Sequence, residues 1–399
     1  MYDLNKPYQA LLQYHPASVT AVKMKDPAFF KSCIGNLDYY EDFVRFFQDE
    51  IAEKGVPQVV NEYLFKGDEL TDDILARMHS GFLHPMIHLG CGLEFNQPCL
   101  VAEALAAGCV HDEWPRDFIF PTEEYLKANP ATPSKPLLEI VEAMHRDPKI
   151  ANAVTPEDPL NKILGLLSKA GKDLVPYLAQ YHVDPTPAAL QEAATDMIHT
   201  CAYIIGAAQH PDKVEAIDFV MLHMSTLGIF YPTFLAQDWI SDANKARLLR
   251  WKAWGDAVMY AGCGAPALYP ERISEYVPKR AGDGWPELCH RANVYPDDGH
   301  VCKVVRAVLN IQALPEPREG FPIRKEDFVK VAHITLDSVE RMMEPGGVKI
   351  PDKIKKTVGE EMGQDEEILR VMVRWVRWGG VEGAWEYFPD RNVEETPAA

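Results

Sequence analysis

Helical periodicity runs through almost the whole sequence, and it constrains the fold more than any other feature. The segment NLDYYEDFVRFFQDEIAEKG, for example, repeats apolar residues every three or four positions and stops at Gly55, a residue type common just after a helix. Alternation of apolar and polar residues with period two, rich in β-branched side chains, is nearly absent. The sequence therefore predicts an all-α fold with more than ten helices.

Proline or serine marks the start of several predicted helices. Pro187 and Pro211 each open a long apolar segment, and proline is favoured in the first turn because an N–H there would have no intrahelical partner. Ser241 is the predicted cap of another long helix. Residues 324–344 and 365–380 show the same pattern, and we predict helices there as well.

The long loops suggest how these helices are organised. We expect a single large, bundle-like helical domain over residues 1–390, with a subdivision near 127–160, where the Pro-rich KANPATPSKP interrupts the helices. The tail over 391–399 is expected to be disordered. A second Pro-rich segment, residues 264–300, is predicted to be irregular, and long loops of this kind often cover a pocket.

Composition excludes several classes of function. The net charge is −19 and no cluster of Lys and Arg is present, which argues against nucleic acid and membrane surfaces as partners. The first twenty residues lack the basic and apolar regions of a signal peptide, and no apolar run is long enough to span a bilayer. The 8 cysteines are scattered without a CxxC pair, which favours reduced thiols. We expect a soluble, cytoplasmic protein.

Histidine occurs in three apolar segments that are predicted to be helical. HSGFLHPMIHLGCGLEF places His84 and His88 on one helix face, DFVMLHMSTLG carries His223, and DDGHVCKVVRA carries His300 in a first turn. A buried imidazole needs a hydrogen-bond partner or a metal, because leaving it unsatisfied costs about 1–3 kcal/mol. Each histidine taken alone also fits an ordinary core position. Together they predict a transition-metal site between central helices.

Lys303 and Arg306 follow His300 at three-residue steps, so all three should project from one side of a helix. A desolvated lysine has a lowered pKa, and its neutral amine can take up carbon dioxide to form a carbamate, an anionic oxygen ligand. Such a ligand suits iron(II), whose common site in oxygenases combines two histidines with one carboxylate. The alternative is a solvated helix face, with Arg306 in a surface ion pair.

Three segments, HPMIHLGCGLEFNQPCLVAEALAAGCVH, DFVMLHMSTLG and DDGHVCKVVRA, resemble in this order the questin oxidase family of fungal aromatic-polyketide pathways. The resemblance implies a Baeyer–Villiger-type oxidase that uses O2 to cleave a ring C–C bond of anthraquinones of the emodin and questin type. It also implies an iron(II) centre held by His84, His88, His223, His300 and a carboxylated Lys303.

Some assignments within this site stay open. His111 is the alternative to His88, and His79 is a further candidate, although its neighbours RMHSG are typical of a helix end. Arg306 would offset negative charge on a phenolate substrate. Four aromatic residues are candidates for stacking on a flat tricyclic substrate, with core packing as the alternative: Trp285, Tyr231, Phe234 and Tyr295.

Other cofactors and functions are less well supported. GCGLEF and GCGAPA contain only the first two glycines of G-x-G-x-x-G and follow no predicted strand, so we do not expect a flavin. The pair His111–Asp112 also occurs in HD-type metal-dependent phosphohydrolases. The third interpretation is a non-catalytic helical scaffold, in which every histidine either packs in the core or lies on the surface.

Overall fold

The computed structural model describes residues 21–343 and 373–391, which are mostly helical and form no strand. Two isolated β-bridges occur in these ranges, Lys213–Asp390 and Asp218–Val376. The all-α prediction is confirmed. Within the same ranges, no helix combines the length and the apolar character that crossing a bilayer would require.

The helices of the described ranges are numbered in chain order. They are α1 (Ala21–Met24), α2 (Pro27–Cys33), α3 (Tyr40–Lys54), α4 (Val56–Leu64), α5 (Glu69–Arg77), α6 (His84–Glu94), α7 (Pro98–Val110), α8 (Arg116–Ala128), α9 (Leu137–Arg146), α10 (Pro148–Ala151), α11 (Lys162–Leu178), α12 (Pro187–Ala207), α13 (Leu222–Gly228), α14 (Tyr231–Ala236), α15 (Asp242–Gly262), α16 (Glu271–Ser274), α17 (Trp285–Val294), α18 (His300–Asn310) and α19 (Phe328–Met343). Short 3₁₀ turns complete the set, at Leu37–Tyr39, Gly81–Leu83, Ile311–Ala313 and Lys325–Asp327.

The chain forms two compact units. The first contains Met1–Pro136, Gly171–Ala194 and Leu227–Gly255, and the second contains Leu137–Ala170, Thr195–Thr226 and Asp256–Ala399. The boundary after Pro136 falls in the interval 127–160, where the Pro-rich sequence predicts a subdivision. The prediction of one domain over 1–390 stays a prediction.

In the first unit, small residues let helices pack closely around α7. Its Gly108 lies so near Met78 that a Cβ atom there would come within 2.3 Å of the sulfur. On α6, a Cβ atom at Gly92 would meet the backbone nitrogen of Val101 at 2.9 Å. Because Cβ atoms do not approach other atoms so closely, these glycines allow α6 and α7 to pack backbone against backbone. This packing fixes α6, the helix that begins at His84.

In the second unit, α17, α18 and α19 pack against one another. The valines of α18 form its buried stripe, and Val301, Val304 and Val308 are completely inaccessible to solvent. A buried arginine of α17, Arg291, donates to Asp337 of α19 at 2.9 Å and forms further ion pairs with Asp283 and Glu340. These apolar and charged contacts hold α18, the helix that begins at His300.

Several predicted helix boundaries are confirmed. Helix α3 ends before Gly55, whose φ of 82° is the left-handed conformation that glycine adopts most readily. Helix α12 begins at Pro187, and α15 follows Ser241, whose hydroxyl accepts a hydrogen bond from the N–H of Asn244 at 3.3 Å. Helix α19 occupies most of the predicted range 324–344.

The predicted helix start at Pro211 is wrong, because residues 211–221 form turns and bridges and the helix begins only at Leu222. The carboxylate of Asp218 accepts hydrogen bonds from the N–H groups of Val220 and Met221, at 2.7 and 3.0 Å, and so begins the helix late. Burial raises the pKa of Asp218, although these two bonds and one from Gly379 lower it.

Two other predictions are corrected. Residues 373–380, predicted to continue a helix, form turns that pair with residues 217–219 instead; residues 365–372 lie outside the described residues. The segment 264–300, predicted to be irregular, contains α16 and α17. Helix α17 forms because Pro286 occupies its first turn and Glu287 accepts a hydrogen bond from the N–H of Gly284 at 3.0 Å. Of the expected disordered tail, residues 392–399 lie outside the described ranges.

A buried histidine of α12 should make the protein acid-labile. His199 is 1% exposed and stacks on Phe328 with ring centroids 5.5 Å apart. Burial, with a smaller contribution from Lys325, lowers its pKa from 6.5 to about 4. The unfolded chain takes up this proton near its ordinary pKa and the folded chain only near pH 4, so stability falls as pH decreases through that window. We expect His199→Phe to reduce this acid-induced loss by roughly 2–3 kcal/mol.

Urea unfolding near pH 7.5 and near pH 4.5 measures this effect. The control is His290→Phe, which replaces an exposed histidine of α17. If His199→Phe and the wild type lose the same free energy of unfolding between the two pH values, the neutral imidazole of His199 is not a source of acid lability.

Candidate metal centre

Two imidazoles face each other in the interior of the second unit. His223 lies in the first turn of α13 and His300 is the first residue of α18. Their Nε2 atoms are 3.3 Å apart, and the two side chains are 0% and 6% exposed. The structure thus brings together two of the four predicted histidines from helices that are far apart in the sequence.

The partners of the two Nδ1 atoms fix which nitrogen of each ring carries the proton. Nδ1 of His223 is 2.7 Å from the backbone carbonyl oxygen of Phe219, and Nδ1 of His300 is 2.7 Å from the carboxylate oxygen Oδ1 of Asp298. Carbonyl and carboxylate oxygens accept hydrogen bonds and do not donate them, so each Nδ1 is the donor. In the neutral rings, both Nε2 atoms therefore carry lone pairs.

Two nitrogen lone pairs that face each other at 3.3 Å repel each other unless a cation lies between them. Imidazole nitrogens bind transition metals at about 2.0–2.1 Å, which places two neighbouring ligands of one ion roughly 2.9–3.4 Å apart. The observed 3.3 Å between the Nε2 atoms of His223 and His300 is in this range. The second hydrogen bond of each ring is the usual outer contact of a metal-ligating histidine. The donor set therefore fits a divalent transition metal.

His84, the third predicted ligand, belongs to the first unit. His84 is the first residue of α6 and is half-buried. The two residues before it, Phe82 and Leu83, have φ values of 54° and 68°, a left-handed conformation that costs non-glycine residues about 1–3 kcal/mol each. The rest of the structure therefore maintains an energetically unfavourable backbone conformation in the turn immediately before His84.

The start of α18 explains the position of His300. Gly299 has a φ of 91°, which ends the preceding turn. Asp297 then accepts hydrogen bonds from the N–H groups of Gly299 and Val301, at 2.9 and 2.8 Å. Together they begin the helix at His300 and leave Asp298 beside the imidazole.

Asp298 is an anionic partner of this imidazole. Partial burial opposes its ionisation, but the hydrogen bond from His300 and the positive charge of Lys303 hold the pKa of Asp298 below its usual value. Asp298 thereby stays a carboxylate, which orients the ring of His300.

The remaining predicted residues on α18 are half-buried. Lys303 lies one turn after His300, and Arg306 lies three residues further on, as the helical spacing predicts. This is the position from which a carbamate on Lys303 could act as a ligand. Neither the carbamate nor the metal ligand set is tested by the fold, and both stay predictions.

Three other histidines are placed elsewhere. His88, on α6, is exposed. The ring of His111 packs against Gly81, where a Cβ atom would come within 2.6 Å of it, and burial lowers its pKa. His79 is buried just beyond α5, with Nδ1 at 2.9 Å from the carbonyl oxygen of Leu75, and burial lowers its pKa to about 4.

Two of the four aromatic candidates for substrate stacking lie in the core, and the other two are half-buried. Tyr231 and Phe234 are buried against each other, with centroids 5.5 Å apart, and the hydroxyl of Tyr231 donates to the carbonyl oxygen of Leu248. Tyr295 donates to the carbonyl oxygen of Val339 at 2.9 Å. Trp285, in the first turn of α17, is half-buried.

The residues that orient the two rings were not predicted from the sequence. Asp298 lies two positions before His300, and this short spacing was the available signal. Phe219 acts through its backbone carbonyl, four residues before His223, and through its ring, whose centroid is 4.8 Å from that of His300. A residue that acts through its backbone carbonyl can be of any type. The role of Phe219 could therefore not be predicted from its residue type, and only the late helix start at Asp218 could have indicated it.

Comparison with known proteins agrees with the three histidine-containing motifs. Residues 1–308 match the family model described as Questin oxidase-like. The chain belongs to this family. The resemblance predicted from the motifs is therefore confirmed, and it argues against the phosphohydrolase and scaffold alternatives.

Several curated proteins are similar over most of their length. The chain is 49% identical over 402 residues to Oxidoreductase AflY of Aspergillus parasiticus, a match that covers 100% of this chain and 81% of that protein. It is 36% identical over 324 residues to Baeyer-Villiger oxidase ptaJ of Pestalotiopsis fici, with 79% and 72% covered. It is 34% identical over 331 residues to Questin oxidase of Aspergillus fumigatus, with 80% and 74% covered. The protein is an oxidoreductase.

Loss of the carboxylate at Asp298 should weaken metal binding. We expect Asp298→Asn to lower the affinity for Fe²⁺ about 10- to 100-fold, because the amide is neutral and orients His300 less strongly. Anaerobic titration against a competing chelator measures the affinity. The matched control is Asp212→Asn, which removes the same charge from an exposed residue of the same unit. Equal affinities of the Asp298 variant and the wild type would contradict this role.

Proposed function

We propose that this oxidoreductase is a non-heme iron(II)-dependent oxygenase. It uses O2 to cleave a ring C–C bond of an anthraquinone-type aromatic polyketide. His84, His223 and His300 hold the metal, and a carboxylated Lys303 supplies an anionic ligand. The fourth histidine ligand, if one binds, is His88 or His111.

One observation carries the metal proposal. The Nε2 atoms of His223 and His300 face each other at 3.3 Å, while both Nδ1 atoms are committed to acceptors. A proton shared by the two rings is the alternative occupant of the space between them.

The substrate class is inferred from the names of the relatives. One is called Questin oxidase and another Baeyer-Villiger oxidase. A Baeyer–Villiger oxidation with O2 inserts one oxygen atom between a carbonyl carbon and its neighbour. The second oxygen atom leaves as water, with two electrons and two protons from a reduced form of the substrate or from an external reductant. The resulting ester can then open by hydrolysis. Applied to a quinone ring flanked by aromatic rings, this reaction cleaves one C–C bond beside the carbonyl group. We therefore assign a flat, phenolic quinone as the substrate.

The side chains of this chain have separate tasks in that reaction. Bound iron(II) would supply the activation of dioxygen, which no amino-acid side chain provides. Phe219 and Asp298 keep the protons of His223 and His300 on Nδ1, away from the site. Burial of the two imidazoles keeps bulk water away from their Nε2 atoms. Arg306, three residues after Lys303 on α18, balances the charge of a phenolate substrate.

The proposed carbamate on Lys303 supplies negative charge that partly balances the charge of the metal ion. Three neutral imidazoles leave the charge of a divalent ion uncompensated, and one carboxylate-like oxygen reduces it. Lys303 is half-buried, and its positive charge contributes to the lowered pKa of Asp298, the residue that orients His300. Carboxylation would convert that amine from a cation, which repels iron, into an anion that binds it.

Removal of two imidazoles should abolish both metal binding and activity. We expect His223→Ala with His300→Ala to bind less than about a tenth of the iron of the wild type, because two of its ligands are gone. Metal analysis after anaerobic loading gives the first readout, and oxygen uptake with emodin-type anthraquinones gives the second. His290→Ala, which replaces an exposed histidine on α17, is the control for loss of an imidazole.

Two outcomes would contradict the proposed oxygenase. The metal assignment is wrong if the double variant retains its iron. The role of O2 is wrong if the wild-type protein converts an anthraquinone as fast without oxygen as with it.

Two substitutions at Lys303 separate its possible roles. Lys303→Arg keeps a positive charge but cannot form the carbamate, so we expect it to lose iron and activity as completely as Lys303→Ala. A carbamate in the wild type should also be labelled by ¹³C-bicarbonate and detected by NMR. If Lys303→Arg retains activity that Lys303→Ala loses, the residue acts as a cation and the carbamate proposal fails.

A further inference from the structure

The segment over residues 373–391 contributes to the surroundings of the histidine pair. The N–H of Phe219 donates to the carbonyl oxygen of Val376 at 2.7 Å, and the N–H of Val376 donates to that of Ile217 at 3.1 Å. The N–H of Gly379 donates to the carboxylate of Asp218 at 2.7 Å. Residues 217–219, which precede α13, are thus held by backbone bonds from a segment beyond residue 308, where the family match ends.

A cation of this segment lies over the ring that touches both imidazoles. The guanidinium carbon of Arg377 is 4.1 Å from the ring centroid of Phe219. The same ring has its centroid 5.1 Å from that of His223 and 4.8 Å from that of His300. Phe219 therefore packs against a guanidinium and two imidazoles, and its carbonyl accepts the proton of one of them.

The position of the Arg377 guanidinium is energetically unfavourable. Its Nε is buried and has no hydrogen-bond partner in the described part of the chain. Burial lowers the pKa of Arg377, and the charges that face it are those of Asp218, Asp298 and Tyr387. An arginine kept only for stability would form the hydrogen bonds of its planar head, as Arg291 does in the same unit. The contact with Phe219 is thus the specific interaction of this side chain.

We propose that Arg377 is a positioning residue for the metal-binding imidazoles and acts through Phe219. The guanidinium fixes the ring and backbone of Phe219 by a cation–π contact. The fixed ring limits the rotation of His223 and His300, and the fixed carbonyl keeps the proton of His223 on Nδ1. This assignment rests on the proposed metal centre, and it adds a role for a part of the chain that none of the three histidine motifs includes.

The experiment measures Co²⁺ binding by anaerobic titration, with the absorption spectrum of the bound ion as a second readout. Arg377→Met removes the charge while keeping an unbranched apolar side chain, and we expect it to weaken binding about 10-fold or more, with an altered spectrum. Arg377→Lys keeps a cation over the ring and should restore most of the affinity. The control is Arg374→Met, because Arg374 lies over Tyr295, not Phe219, at 5.3 Å.

A double-mutant cycle with Phe219→Leu separates positioning from general stability. Leu keeps the backbone carbonyl but removes the ring, so Arg377→Met should have little further effect on Co²⁺ affinity in that background. Thermal unfolding of each variant shows whether it is folded, and Arg377→Gln, which also removes the charge, replaces Arg377→Met in the cycle if the latter does not fold.

The outcomes separate this inference from the proposed function. Wild-type protein that binds no Co²⁺ would overturn the metal centre and this assignment with it. Wild-type affinity in Arg377→Met, or equal effects of Arg377→Met with and without the ring of Phe219, would overturn the positioning role alone. A weaker affinity in Arg377→Met that disappears in the Phe219→Leu background supports it.

Discussion

The candidate metal centre depends on two hydrogen bonds, each of which fixes one imidazole. The carbonyl oxygen of Phe219 accepts from His223, and the carboxylate of Asp298 accepts from His300. Since neither oxygen can donate, both rings must present unprotonated nitrogens to each other. If either acceptor were replaced by a donor, the ring would turn its lone pair away and the pair would become an ordinary hydrogen bond between imidazoles.

The helix starts are what place these acceptors. Asp218 and Asp297 each accept N–H groups at the beginning of a helix, and so set the residue at which α13 and α18 begin. A helix turns about 100° per residue, so a start shifted by one position would rotate the imidazole away from its partner. The two caps, although they contact no ligand themselves, are therefore as necessary to the geometry as the histidines.

The sequence predicts the members of the site better than their arrangement. His223 and His300 could be identified because each interrupts an apolar helical pattern, and Lys303 because its spacing from His300 is fixed within one helix. The helix predicted from Pro211 was wrong because the side chain of Asp218 and pairing with Val376 override local propensity. For the same reason residues 373–380 form turns, and Arg377 could not be associated with Phe219 from local pattern.

The other buried histidines show why the pair is more than core packing. His79 and His199 are as inaccessible as His300, and burial is the main cause of their lowered pKa values, so a scaffold accounts for both. A scaffold does not account for two lone pairs that face each other across 3.3 Å. Side-chain arrangements that reduce the stability of a fold are expected to cluster at ligand-binding sites.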